Sequence, residues 1–169
     1  MSESLVSGET PGLARRLAAM TYEGVLLFGV VFIADYLFSA LTQQRNAMQG
    51  RTAGQAFLFV VLGIYFSWFW SHGGQTVAMK AWHVRVVDAA GRPLTEVRAF
   101  ARYVLSYLWF VPALAAAWAI DVKGSRIFVC ILAGVVTYAL MARLHPRRQF
   151  LHDLICGTQL ITQMPAKTP

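Results

Sequence analysis

The sequence predicts an all-α membrane protein: four transmembrane helices with a small cytoplasmic interfacial helix and short β segments. Three observations predict it. Four long apolar runs occupy about 17–42, 54–71, 104–120 and 126–142, and a bilayer core about 30 Å thick needs roughly 20 apolar helical residues to cross it. Apolar residues make up 57% of the chain and charged residues 14%, against about 45–50% and 25% in soluble domains. The basic residues also fall unevenly on the loops between the runs. Nearly half of the 169 residues lie in these runs and the stretches between them are short, which leaves no room for a large soluble domain.

The first run extends from Leu17 to Thr42 and carries Glu23 and Asp35. A secretory signal has an apolar stretch of only about 7–15 residues, so this run reads as a retained first span. Orientation follows from lysine and arginine in short loops. Arg15, Arg16, Lys80, Arg85, Arg92, Arg98, Arg102, Arg143, Arg147, Arg148 and Lys167 share one side if there are four spans; Arg45, Arg51, Lys123 and Arg126 lie on the other. Both termini are therefore placed in the cytoplasm. The net charge of +7 is read as topology and as attraction to anionic headgroups. Residues 1–10 and 163–169 read as flexible ends of a membrane domain spanning 11–162.

Aromatic residues mark the span ends, where their rings favour the headgroup level: Trp68 and Trp70, Tyr103 and Tyr107, and Trp118. Phe128 and Tyr138 read as packing residues. Gly73-Gly74-Gln75-Thr76 stops the second span. Val77 to Trp82, with Lys80 and His83, suits a short helix lying in the interface. Val84–Asp88 is β-branched and reads as a strand. Residues 89–93 form a turn. Thr95 is placed to cap a helix, with Glu96 favourable in its first turn. Arg98 and Arg102 follow one turn apart before the third span. Pro146-Arg147-Arg148 breaks the fourth helix. Gln149–Cys156 forms a short helix that Gly157 ends, and Thr158–Gln163 is extended. A cytoplasmic sheet of 84–88, 93–95 and 158–163 would be firmer than an isolated hairpin.

The chain resembles the RDD family of membrane proteins, mostly bacterial, over roughly residues 11–162. The resemblance rests on Arg15-Arg16-Leu-Ala-Ala followed by an acid at 23; on Gly74-Gln75-Thr76 through Arg85-Val86-Val87-Asp88 with Gly91 and Pro93-Leu94; on Arg98 to Arg102; and on Arg148-Gln149 through His152-Asp153 to Gly157-Thr158. It implies that Arg16 is the family's arginine and Asp153 its last aspartate. Glu23 stands where the family has a first-helix aspartate, keeping the carboxylate and adding a methylene. The resemblance also implies a bacterial inner (plasma) membrane location. It carries two functional associations: ion or proton-coupled transport, and partnership with other membrane proteins.

The residues make a separate case. An ionisable group at the centre of a span costs about 2.5–3.5 kcal/mol on insertion scales and is a functional-site hypothesis by default. Arg16 and Glu23 are two helical turns apart, so they share a face with Ala19 and Met20 between them. Asp153, tethered at the cytoplasmic surface, can meet Arg16. The expected cluster is therefore Arg16, Glu23, Asp153 and Arg102 at the inner mouth of the bundle, either as a lock for the tail or as part of an ion path. Asp35 lies about 120° around the helix from Glu23 and stands apart as a second candidate.

Four histidines, His72, His83, His145 and His152, fall on the cytoplasmic side with no zinc spacing. His152 and Asp153 are adjacent, so they are not expected to share a helix face. Cys130 and Cys156 read as small apolar fillers. The chain holds no phosphate-binding loop, nucleophile elbow or zinc-protease motif, which points away from an enzyme and from a cofactor or metal. The basic residues ring the membrane edge instead of forming a nucleic-acid face. Two functions remain: an ion or proton-coupled transporter assembled from several copies, and a non-catalytic accessory or scaffold subunit of a membrane complex. Partners follow: anionic headgroups on the cytoplasmic side, and a second copy or another membrane protein.

Overall fold

Helix α1, Leu13–Leu41, is 29 residues long and buries only Arg16, Ala19, Glu23 and Ala34. The first three recur at the spacing of one helical stripe. Its remaining faces are mostly apolar and outward, with Phe28 74% and Phe32 65% exposed. A helix apolar all round suits lipid contact or a protein core. The computed structural model describes residues 9–43, 50–144 and 149–163, apart from the side chains at 143 and 144. Most of the two expected flexible ends, Arg45, His145 and the Pro146-Arg147-Arg148 break lie outside the described residues.

Helix α2 runs Arg51–His72 and closes on Gly73. Helix α3, Val77–Ala81, is capped by the Thr76 side chain, which accepts from the Met79 N–H. Strand β1 is Val84–Asp88. Helix α4, Glu96–Ser106, is capped by Thr95 and carries Glu96 in its first turn. A 3-10 turn at Tyr107–Trp109 and helix α5, Val111–Ala119, follow. Helix α6 is Arg126–Leu144, α7 is Leu151–Cys156, and β2 is Thr158–Thr162. Gly157 ends α7 in the left-handed conformation at φ 61°.

Three stretches are long and apolar enough to cross a membrane: Leu13–Leu41, Arg51–His72 and Glu96–Ala119. The fourth apolar run forms a shorter apolar helix, α6, of 19 residues. The third stretch is not the single helix expected from its run. Pro112 sits in the first turn of α5, where its missing N–H suits a helix start and ends the ladder from α4. Gly134 lets α5 and α6 pack closely, since a Cβ there would overlap Ala113.

The expected three-stranded sheet forms with two strands. β1 pairs antiparallel with β2, with Val86 opposite Leu160, and 93–95 adds no strand among the described residues. Other groups meet the sheet's edges instead. On the outer edge of β1, the Val86 N–H donates to the Gly74 carbonyl at 2.7 Å, the Asp88 N–H to the Arg92 carbonyl at 2.9 Å, and the Gln75 amide to the Val84 carbonyl at 2.8 Å. On the outer edge of β2, the Gln149 side chain accepts from the Leu160 N–H at 3.1 Å and donates to the Leu160 carbonyl at 3.2 Å. An edge satisfied this way needs no third strand.

The core gathers Trp70, Met79, Val84, Val86, Tyr103, Trp109, Tyr138, Phe150 and Leu160. Trp70 and Tyr103, expected at the headgroup level, are 5% and 2% exposed and serve as core. Tyr138 packs as expected, while Phe128 is 74% exposed.

Candidate functional site

The buried face of α1 points Arg16 and Glu23 toward α2, α3 and α4. The Tyr65 hydroxyl donates to Glu23 Oε1 at 2.7 Å. The Thr76 hydroxyl donates to Oε2. Thr76 therefore does two jobs, since the same oxygen accepts the Met79 N–H at 3.2 Å. Glu23 is 7% exposed and Thr76 fully buried. A carboxylate at this depth is retained because hydroxyl protons replace its water.

Asp153 chooses Arg102 over Arg16. Arg102 Nε donates to Asp153 Oδ1 at 2.8 Å, with the two side chains 6% and 0% exposed. The Thr158 hydroxyl adds a bond to the same oxygen at 3.1 Å. The Arg102 guanidinium also lies 4.2 Å from the Trp70 ring centroid, a cation–π contact. This pair ties α7 to α4.

His152 and Asp153 do share a site, contrary to the expectation from their adjacency. His152 Nε2 lies 3.6 Å from Asp153 Oδ1, and both residues are buried in the first turn of the short α7. The Tyr138 hydroxyl accepts the His152 backbone N–H at 3.0 Å and lies 2.9 Å from His152 Nδ1. With the hydrogen on Nε2, which faces the Asp153 carboxylate, Nδ1 accepts from the Tyr138 hydroxyl. Burial lowers the imidazole pKa to about 4; Asp153 opposes that shift and Arg102 adds to it.

Arg16 is the cluster member left over. It is 4% exposed, and its guanidinium lies over the Phe150 ring at 4.5 Å. Its Nε and Nη1 are buried with no hydrogen-bond partner among the described residues. The Trp70 indole N–H and Asp153 Oδ2 are likewise buried and unpaired. Each such group costs about 1–3 kcal/mol, and more when charged. Arg16, Glu23 and Arg102 line one cavity of about 370 Å³. The expected four-membered cluster is thus split into an Arg102–Asp153 pair, a Glu23–Tyr65–Thr76 unit and a lone Arg16.

Asp35 is not brought to this site. It is exposed on the outer face of α1. Asp88 forms a separate anchor. Its Oδ1 accepts the Ala90 and Arg92 backbone N–H groups, both at 2.8 Å, and its Oδ2 accepts Arg92 Nε at 3.0 Å. Those bonds, the Arg92 backbone first, hold its pKa below the ordinary carboxylate value against the opposing effect of burial. Arg98 Nη1 approaches the same carboxylate at 3.7 Å. Among the described residues, no three His, Cys, Asp or Glu side chains gather as metal ligands. Cys130 and Cys156 are free thiols.

Tyr65, Thr76, Tyr138, Gln149 and Thr158 carry site contacts that their sequence surroundings do not announce. Thr76 is visible in the Gly74-Gln75-Thr76 pattern, but there it reads as a helix stop. A lone hydroxyl in an apolar run, such as Tyr65, carries no spacing signal.

Long apolar helices with a small packed two-stranded sheet define the class: a multi-pass helical membrane protein. The RDD family profile matches residues 10–157, and the chain belongs to the RDD family. No curated protein and no solved structure matches it.

Proposed function

We propose that the chain crosses the bacterial inner membrane four times with both termini in the cytoplasm. We propose further that it takes part in ion or proton-coupled transport and is not an enzyme. At a rise of about 1.5 Å per residue, the nineteen residues of α6 span about 28 Å, close to the hydrocarbon core. In this arrangement α3 lies at the cytoplasmic interface, and the basic rim meets anionic headgroups.

One observation carries the transport reading. Glu23 is a buried carboxylate in the wall of a cavity between helices of membrane-crossing length. Its two hydroxyl partners can turn. They donate to the free carboxylate, and their oxygens can accept once a proton or small cation occupies the site. A chain with so few spans would assemble several copies to complete a path.

A second reading, an accessory or scaffold subunit, draws support from Asp35. That acid is exposed and apart from Glu23, so it does not continue a carboxylate path outward. Flux in proteoliposomes, with an ion panel under an imposed pH gradient, separates the two. Transport expects Glu23→Gln to abolish flux while insertion and melting temperature hold. Unchanged flux in a well-folded Glu23→Gln protein sinks it. The accessory reading expects no flux in either protein and loss of a membrane partner on substitution within 84–95.

A further inference from the structure

The cavity beside Glu23 holds an imbalance that the transport reading does not use. Three buried donor atoms, Arg16 Nε, Arg16 Nη1 and Trp70 Nε1, have no acceptor among the described residues, and both residues line the cavity. The nearby carboxylates do not meet these donors. Glu23 takes two hydroxyl protons, and Asp153 takes Arg102 on Oδ1 while its unpaired Oδ2 belongs to a residue outside the cavity wall. Every unpaired group in the cavity wall asks for an acceptor, and one of them is a cation.

The rest of the wall is apolar: Leu27, Leu62, Phe66 and Leu160 are among its members. Its rim includes Met20 and Phe110, which are 41% and 44% exposed. These belong to the outward faces of Leu13–Leu41 and Glu96–Ala119, both of membrane-crossing length. A volume of about 370 Å³ sits at the low end of small-molecule sites. It suits a headgroup with the first part of one chain.

We infer that this cavity binds the anionic head of a bilayer amphiphile, a carboxylate or phosphate, on the Arg16 guanidinium and the Trp70 indole N–H. The amphiphile enters between α1 and the α4–α5 junction, and its chain lies along the apolar wall. The Phe150 ring covers one face of the guanidinium and leaves its edge donors for the anion. Such binding needs these helices in a membrane, and it is independent of ion transport.

Native mass spectrometry of the full chain in detergent tests it. The probes are oleate, dioleoylphosphatidylglycerol, dioleoylphosphatidylcholine and inorganic phosphate. Oleate or the phosphatidylglycerol is expected to bind one per chain, more tightly than the phosphatidylcholine. Which of the two binds distinguishes a free fatty acid from a lipid headgroup. Arg16→Gln should weaken that binding at least about tenfold, the factor for a lost charge-assisted hydrogen bond. Arg15→Gln removes the same charge one residue away, outside the cavity wall, and should leave binding unchanged. Equal loss in both variants, or none in either, overturns the assignment. Displacement of the amphiphile by inorganic phosphate overturns it too, since the site would then hold a free anion. Should Arg16→Gln fail to fold, Leu27→Trp takes its place, because it fills the cavity and keeps every charge. Lost binding at an unchanged melting temperature supports the inference, and retained binding defeats it.

Discussion

Arg102 and Asp153 show what a buried charge needs. Neither side chain is more than 6% exposed. Removing one partner of such a pair leaves an uncompensated buried charge and costs about 3–5 kcal/mol, whereas replacing both with apolar residues is often neutral. Asp153→Asn is therefore expected to lower stability by that amount, and Arg102→Met with Asp153→Leu to lower it by less. Thermal unfolding in detergent, followed by intrinsic fluorescence, measures both. A double variant as unstable as the single one would show that the pair sets the fold beyond its own charges. His152 makes a prediction with pH. Its native pKa of about 4 lies below the ordinary 6.5, so between those values the unfolded chain binds a proton that the native state refuses. Stability then falls as pH drops from 6.5 to 4, by about 3 kcal/mol in all, and this contribution changes no further below 4. The groups facing the imidazole are Asp153, Arg102 and Tyr138. Asp88, whose folded pKa is depressed, stabilises above its unfolded value near 4 and loses that contribution below it. The two windows separate. His152→Gln should flatten the melting temperature between pH 6.5 and 4 and leave the steeper fall beneath pH 4. An unchanged slope between 6.5 and 4 would rule out a neutral buried imidazole.

At the scale of elements, the two-stranded sheet depends on side chains and loops that close its edges. Gln149 bonds both backbone groups of Leu160. Gln149→Ala would leave a buried N–H and C=O unpaired, at about 1–3 kcal/mol each. The expected result is a lower melting temperature and faster hydrogen exchange at the Leu160 amide; unaltered exchange there would show that the edge is closed by something else. Gly74→Ala should be more damaging than an ordinary surface change. Its φ is +71°, and a Cβ would sit 2.5 Å from the Val86 carbonyl oxygen, so the strain falls on the bond that closes β1. Much of this level was legible in the sequence. Thr95, Gly157 and the β-branched run at 84–88 depend on their near neighbours, and each does what its local pattern predicts. The stripe of Arg16, Ala19 and Glu23 was legible for the same reason. Partner choice was not. A helical face says that Arg16 and Glu23 point one way, but not that Asp153 arrives beside Arg102. Adjacency in α7 separates His152 and Asp153 on an ideal helix, yet a six-residue helix set into the core buries both. Gly74 and Gln75 took the edge expected for 93–95 because the turn after α2 brings them against β1, a contact no local pattern encodes.

For the whole molecule, the two-stranded sheet supports the proposed number of crossings. β1 precedes the stretch Glu96–Ala119 and β2 follows α6, yet they pair along their full length. α7 is tied to α4 by Arg102 and Asp153. The chain after α6 has therefore returned to the end of the third stretch from which it departed. If Glu96–Ala119 crosses the bilayer, α6 has to carry the chain back. Charge agrees. Four crossings place eleven basic residues on one side and four on the other; three crossings would move Arg143, Arg147, Arg148 and Lys167 across and leave seven against eight. A basic residue near an anionic leaflet contributes about 1 kcal/mol, so the second arrangement gives up most of its orienting force. Single cysteines at Ser2, Ser125 and Lys167, in a chain with Cys130 and Cys156 replaced by alanine, decide the matter with a membrane-impermeant maleimide. Positions 2 and 167 should react only when the cytoplasmic face is open, and position 125 only from outside. Labelling of 125 and 167 from one side would mean that α6 does not cross, and pairing of β1 with β2 would then require Glu96–Ala119 to fold back within one leaflet.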